Sequence, residues 1–205
     1  MRQLRITGLV VVLAALGGCA AAPASGAAAT AALARDYYFS PRGDDARGDG
    51  SPARPFGSVT KAGSIRLNPG DRLLFEGGQM FRGNLVLADG AAGTAQRPIV
   101  VGSFGNGRAR IDAGEGSAIR ARNAGGVVVE NLLLSGSGAD RNFGSGVALT
   151  NDLHGWAAKR LSFVRVRHVT AYGFGREGIN IEAARGLGFE DVRIEGCETY
   201  ENAHS

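Results

Sequence analysis

Cysteine, aromatic residues and long apolar runs are all scarce in this 205-residue chain, and each scarcity removes a class of protein. The two cysteines, Cys19 and Cys197, cannot build the disulfide framework of a small secreted scaffold, so stability must come from packing. Aromatics make up 7% of the residues against 33 glycines, a balance that disfavours a helical bundle or a broad α/β sheet and suits narrow coils joined by tight turns. The amino-terminal apolar stretch, residues 6–16, falls short of the roughly 20 residues a membrane-spanning helix needs. Charge of neither sign dominates: the formal net charge is +4, and +2 without Arg2 and Arg5. No aromatic-interleaved basic motif accompanies it, which sets nucleic acid aside as a partner.

What is present at the amino terminus reads as an export signal over residues 1–18, with Arg2 and Arg5 ahead of the apolar stretch. Leu16-Gly17-Gly18-Cys19 resembles the lipobox of bacterial lipoproteins, in which cleavage before the cysteine exposes its thiol for lipidation. That resemblance implies a protein of the bacterial cell envelope, anchored at the outer membrane or cell surface through Cys19 alone; an ordinary secretory peptide is the alternative. Residues 19–35 are Ala-rich and suit a flexible tether. With Cys19 lipidated, Cys197 has no partner and is expected as a packed or turn thiol.

Residues 36–205 then form one domain, large enough for a real core. Its strongest signal is an internal repeat. Val129-Glu130-Asn131-Leu132-Leu133-Leu134-Ser135-Gly136 aligns with Val166-Arg167-His168-Val169-Thr170-Ala171-Tyr172-Gly173 and with Phe189-Glu190-Asp191-Val192-Arg193-Ile194-Glu195-Gly196. Each phrase follows another short strand signal: Ile119-Arg120-Ala121, Val147-Ala148-Leu149 or Ile179-Asn180-Ile181. The step from Ile119 to Val129 equals that from Ile179 to Phe189, and the middle copy carries an insertion. Repeats this short cannot bury both faces alone, so copies must stack, and stacked strand coils make an all-β parallel β-helix, a solenoid.

Ahead of the repeats, Tyr37-Tyr38-Phe39-Ser40 signals a strand, and Val59, Ala62, Ile65 and Leu67 fall close to helical spacing with Ser58 as N-cap. A short α-helix here is expected to cap the open apolar end of the first coil. Between strand and helix, Asp44, Asp45 and Asp49 raise Ca²⁺ as a possible cofactor, but their spacing lacks the alternation and terminal Glu of an EF-hand loop, and turn chemistry accounts for them.

YYFSPRGDD, PFGSV, NPGDRLLFEGG and FRGNL, followed by GTAQRPIVVGSFGNGRARIDAG at residues 93–114, resemble the amino-terminal pattern of bacterial right-handed parallel β-helix repeat proteins of the pectate-lyase-like superfamily. The resemblance implies a right-handed, single-stranded helix and leaves the reaction open, because lyases, hydrolases, epimerases and adhesins share that fold.

Strand alternation places Ile119, Ala121, Val147, Leu149, Ile179 and Ile181 inside and Arg120, Arg122, Ala148, Thr150, Asn180 and Glu182 outside. Val129, Leu132, Leu134, Val166, Val169, Ala171, Phe189, Val192 and Ile194 are expected to complete the core. Asn131, His168 and Asp191 share a tight corner where left-handed backbone is needed, so His168 is read as architecture rather than a metal ligand.

Superfamily enzymes bind extended polysaccharide along the first sheet, which here implies a floor of Arg120, Arg122, Asn180 and Glu182. The insertion with His154, Trp156 and Lys159 makes one wall and Asp140-Arg141-Asn142 the other. Arginine forks a substrate carboxylate, Trp156 stacks on a sugar, and Glu182 with Arg120 would supply the base and the enolate-stabilising cation of a lyase. No second groove carboxylate for a hydrolase and no metal cluster is evident. The expectation is thus an envelope carbohydrate-active protein, a lyase or relative on an acidic polysaccharide, with a non-catalytic glycan-binding or adhesive module as the alternative. Because no closing element follows residue 202, a truncated carboxyl end is expected, with a monomer at full length.

Overall fold

The computed structural model describes residues 33–154 and 159–204. They belong to one compact unit, Ala32–Ser205. The export signal, Cys19, the tether up to residue 32 and Trp156 lie outside the described residues.

In chain order the elements are β1 (Asp36–Phe39), α1 (Val59–Gly63), β2 (Arg72–Glu76), β3 (Met80–Arg82), β4 (Leu85–Val86), β5 (Ile99–Phe104) and β6 (Ala109–Asp112). Then come β7 (Ile119–Arg122), β8 (Val127–Ser135), β9 (Val147–Asn151), β10 (Leu161–Tyr172), β11 (Ile179–Ala183), β12 (Phe189–Glu195) and β13 (Glu198–Tyr200). The protein is mostly β, and the strands pair in parallel within two sheets. One sheet runs β1-β2-β5-β8-β10-β12, with β3, β6 and β13 attached; the other runs β4-β7-β9-β11. Each strand of the second sheet falls in the chain between strands of the first: β4 between β3 and β5, β7 between β6 and β8, β9 between β8 and β10, and β11 between β10 and β12.

The register is that of stacked repeats. Ile119 lies opposite Val147, and Val147 opposite Ile179. Apolar side chains of both sheets, among them Leu85, Ile119, Val147, Leu149, Val129, Leu132, Leu134, Val166 and Ala171, merge into one buried cluster. Each large side chain so buried is worth about 1.5–3 kcal/mol, which penalises any slip of register. At the amino-terminal side Phe39 stacks on Phe75 with centroids 4.8 Å apart, and Phe75 meets Phe81 edge-on at 5.0 Å.

The last repeat is offset from its expected place. β12 pairs with the first half of β10, with Phe189 opposite Leu161, Val192 opposite Val164 and Ile194 opposite Val166. Val129 therefore stacks on Val166 and then on Ile194, not on Phe189. β10 carries the same apolar spacing twice, at Leu161, Val164 and Val166 and at Val166, Val169 and Ala171, so the spacing of Phe189, Val192 and Ile194 matches either one; the equal step from Ile179 to Phe189 was coincidental. Phe189 is half-buried, whereas Val192 and Ile194 are 37% and 52% exposed, because β10 flanks β12 on one side and no described strand flanks it on the other. Asp191 leaves the corner of Asn131 and His168, where Gly196 replaces it, and joins Phe163 instead. Asn131, His168 and Gly196 have φ of 54°, 52° and 58°; Phe163 and Asp191 have 60° and 53°.

Ser58 caps the helix, its Oγ accepting from the Lys61 amide at 3.0 Å. The helix spans five residues and buries Val59 and Ala62. Asp44, Asp45 and Asp49 diverge onto separate tasks: Asp44 accepts from the amides of Ala46 and Arg47, Asp45 from Gly57, Ser58 and the Ser58 hydroxyl, and Asp49 from Ser51.

Candidate functional site

Alternation in the four-stranded sheet turns two rows outward. Arg120 lies opposite Ala148, and Ala148 opposite Asn180; Arg122 lies opposite Thr150, and Thr150 opposite Glu182. Four of the expected floor residues therefore share one face, in two rows, with strand spacing placing Arg120 about 10 Å from Asn180 and Arg122 about 10 Å from Glu182 at the backbone. Ala148 and Thr150 sit between them as the small members.

Around Arg122 the structure assembles a ring of polar groups. Its Nε donates to Asp152 Oδ2 at 2.7 Å and its Nη1 to Asp89 Oδ2 at 3.3 Å. Asn123, in left-handed backbone at φ 55°, donates to Asp89 Oδ1 at 3.0 Å and accepts from the Asp152 amide at 2.9 Å, closing the ring. The hydrogen bond from Arg122 holds the Asp152 carboxyl below the usual carboxylate range. Asp89 and Asp152 are the groove carboxylates that inspection of the sequence did not find. They lie 33 and 30 residues from Arg122, and extending the stacked-strand alignment two residues past Thr150 reaches Asp152.

A second network lies at the other end of the face. Glu177 Oε2 accepts from Asn180 Nδ2 at 3.2 Å and from Ser145 Oγ at 3.3 Å, and Arg176 spans Glu177 at 3.7 Å and Glu182 at 4.0 Å. Among the described residues Arg120 has no ion-pair partner. An open depression of about 450 Å³ lies over Val86, Asp89, Arg120, Arg122 and Thr150. It shares Asp89 with a neighbouring depression of about 490 Å³ beside Ser64, Arg66 and Ala91.

The walls differ in character from the expectation. Asn142 is 3% exposed and serves packing: its Nδ2 donates to the carbonyls of Gly114 and Gly116 at 2.7 and 2.9 Å, and its Oδ1 accepts from the amides of Gly144 and Gly175. Asp140 and Arg141 are exposed, and so is Phe143, a residue that no sequence pattern singled out. On the opposite side His154 is exposed with Nδ1 3.3 Å from the Asp152 carbonyl, and Lys159 is exposed while its carbonyl accepts from Asn151 Nδ2. Cys197 packs half-buried against the core, Sγ 3.4 Å from the Val166 carbonyl. Among the described residues no group of three or more His, Cys, Asp or Glu side chains is placed to hold a metal ion.

No family model matches the chain. Over 89 residues, 42% of the chain, it is 36% identical to the lacto-N-biosidase of Bifidobacterium longum subsp. longum, and this stretch is 5% of that protein. The GH136 lacto-N-biosidase of Eubacterium ramulus superposes with a TM-score of 0.62 at 21% identity, over 80% of this chain and 34% of that one. A rhamnogalacturonan lyase superposes with a TM-score of 0.53 at 15% identity, over 82% of this chain and 52% of that one. The fold is thus shared with β-helix-type carbohydrate-active enzymes, and the chain spans between a third and about half of these structures and a twentieth of the curated relative.

Proposed function

We propose that this chain belongs to an exported carbohydrate-active protein, built as a right-handed parallel β-helix whose outward four-stranded face holds a glycan. The observation that carries this reading is the pair of rows Arg120–Ala148–Asn180 and Arg122–Thr150–Glu182, polar at both ends and small in the middle, on a fold shared with two glycan-cleaving enzymes. The helix α1, with Val59 and Ala62 buried, covers the first coil. Export and a lipid on Cys19 place the protein in the bacterial cell envelope; Cys19→Ser should release it from membranes, and retention there would reject the anchor.

For bond cleavage, the sequence similarity to a lacto-N-biosidase and the three carboxylates Asp89, Asp152 and Glu182 support hydrolysis. A second reading, elimination on a uronate-containing polymer, draws its support from Arg120, whose guanidinium has no ion-pair partner among the described residues and is suited to fork a substrate carboxylate. Arg122 lends that reading less, since two carboxylates already neutralise it. Incubating the full-length protein with a lacto-N-bioside, pectate, alginate and glycosaminoglycans separates them: new reducing ends without ultraviolet absorbance mean hydrolysis, and unsaturated products mean elimination. Binding without product, surviving Glu182→Ala, assigns a glycan-binding module. Neither binding nor product from any of them overturns the proposal.

A further inference from the structure

We infer that Phe143 is a stacking platform for a sugar ring, carried on the loop that runs into β9 and its outward residue Ala148. The inference rests on that face holding a glycan. Phe143 is 77% exposed, yet its loop is locked. The Phe143 amide donates to the Glu115 carbonyl at 2.8 Å, and the flanking Asn142 ties the carbonyls of Gly114 and Gly116 to the amides of Gly144 and Gly175. Backbone approach there is close: a Cβ on Gly144 would fall 2.2 Å from the Ser117 amide nitrogen. Asn142 points inward and Phe143 outward, so a fixed backbone presents the apolar ring to solvent.

An aromatic side chain on a fixed backbone has only two torsions to lose on binding, and a Phe, lacking any polar atom, selects the C–H-rich face of a pyranose over its hydroxyl-bearing edge. The loop leads directly into β9, where Ala148 and Thr150 lower the floor. Asn180 and Glu182 on one side and Arg120 on the other can then hydrogen-bond the hydroxyls of a ring seated over that floor. The ligand class is an oligosaccharide that presents an apolar pyranose face to Phe143.

Titration calorimetry of the full-length protein with lacto-N-biose and trigalacturonate tests this, beside thermal unfolding of every variant. Stacking predicts that Phe143→Ala weakens binding about tenfold or more, that Phe143→Leu does not restore it and that Phe143→Trp does, all with unchanged unfolding temperatures. Unaltered affinity in Phe143→Ala, while Arg120→Ala still weakens binding, overturns the platform and leaves the glycan face standing. Phe143→Leu equal to the parent overturns stacking in favour of simple apolar contact. No binding of either probe by the parent removes both the platform and the face.

Discussion

Asn131 and His168 stand one above the other at the same corner, with φ of 54° and 52°, between the paired residues Glu130–Arg167 and Leu132–Val169. Gly196 continues the row at 58°, and a Cβ there would fall 2.8 Å from His168 Cδ2. Left-handed backbone costs a β-carbon-bearing residue about 1–2 kcal/mol, least for Asn and most for β-branched residues. Asn131→Gly is therefore expected to leave stability nearly unchanged, and Asn131→Val to lower it by about 1–2 kcal/mol in urea unfolding. Gly196→Ala should destabilise the parent, and less so in a His168→Gly background, where the imidazole no longer blocks the new methyl.

Much of this architecture was legible because stacking imposes one pattern on every repeat: Ile119, Val147 and Ile179 announce themselves by alternation, and Asn131 and His168 by polarity at a fixed place. The third copy misled for the same reason. The spacing of Phe189, Val192 and Ile194 recurs twice in β10, at Leu161, Val164 and Val166 and at Val166, Val169 and Ala171, so the phrase fits Leu161 as well as Val166, and the hydrogen-bond register decides between them. The site was legible row by row, since Arg120, Arg122, Asn180 and Glu182 follow from the strands. Asp89 and Asp152 were not, because they leave the strands and meet Arg122 only through turns. Phe143 escaped for want of any periodic signal in its loop.

Asn142 supplies a prediction about stability rather than binding. Its buried amide satisfies two carbonyls and two amides in neighbouring loops; truncation removes the side-chain partner of the Gly116 carbonyl and of the Gly144 and Gly175 amides, while the Gly114 carbonyl keeps the Ser137 amide. An unsatisfied buried group costs about 1–3 kcal/mol, so Asn142→Ala should lower stability by at least that, with Asn142→Asp also destabilised because it cannot donate to Gly114 and Gly116. Equal unfolding midpoints for parent and Asn142→Ala would show that the loops do not depend on this amide.

Acid sensitivity should trace in part to Asp36. Its carboxyl accepts from Arg72 Nε at 2.7 Å and Nη2 at 2.6 Å, and these bonds hold its pKa below the ordinary value. A depressed folded-state pKa means that the unfolded chain binds the proton first, so the pair's contribution is complete above about pH 5 and is lost as pH falls through the folded value. Asp36→Asn should be less stable than the parent at neutral pH, and the gap should narrow toward pH 3. The Asp36 side chain is 34% exposed, so the effect is modest and shrinks in high salt. A gap that stays constant from pH 7 to pH 3 would remove Asp36 from the acid response.

Arg120 and Arg122 differ by two residues and should part company on mutation. Arg122 separates Asp89 from Asp152, and removing its charge leaves two carboxylates facing each other across the Asn123 amide. Arg122→Ala is expected to loosen the turns around residues 88–92 and 152–154, raising amide exchange there, and Arg122→Ala with Asp152→Asn should recover most of that loss by ending the repulsion. Arg120 anchors nothing comparable among the described residues, so Arg120→Ala should unfold like the parent while weakening glycan binding. The contrast is the test: if Arg122→Ala leaves exchange at Asn123 and Asp152 unchanged, the ring is incidental. If Arg120→Ala and Arg122→Ala destabilise equally, the division between a ligand-facing and a scaffold arginine fails.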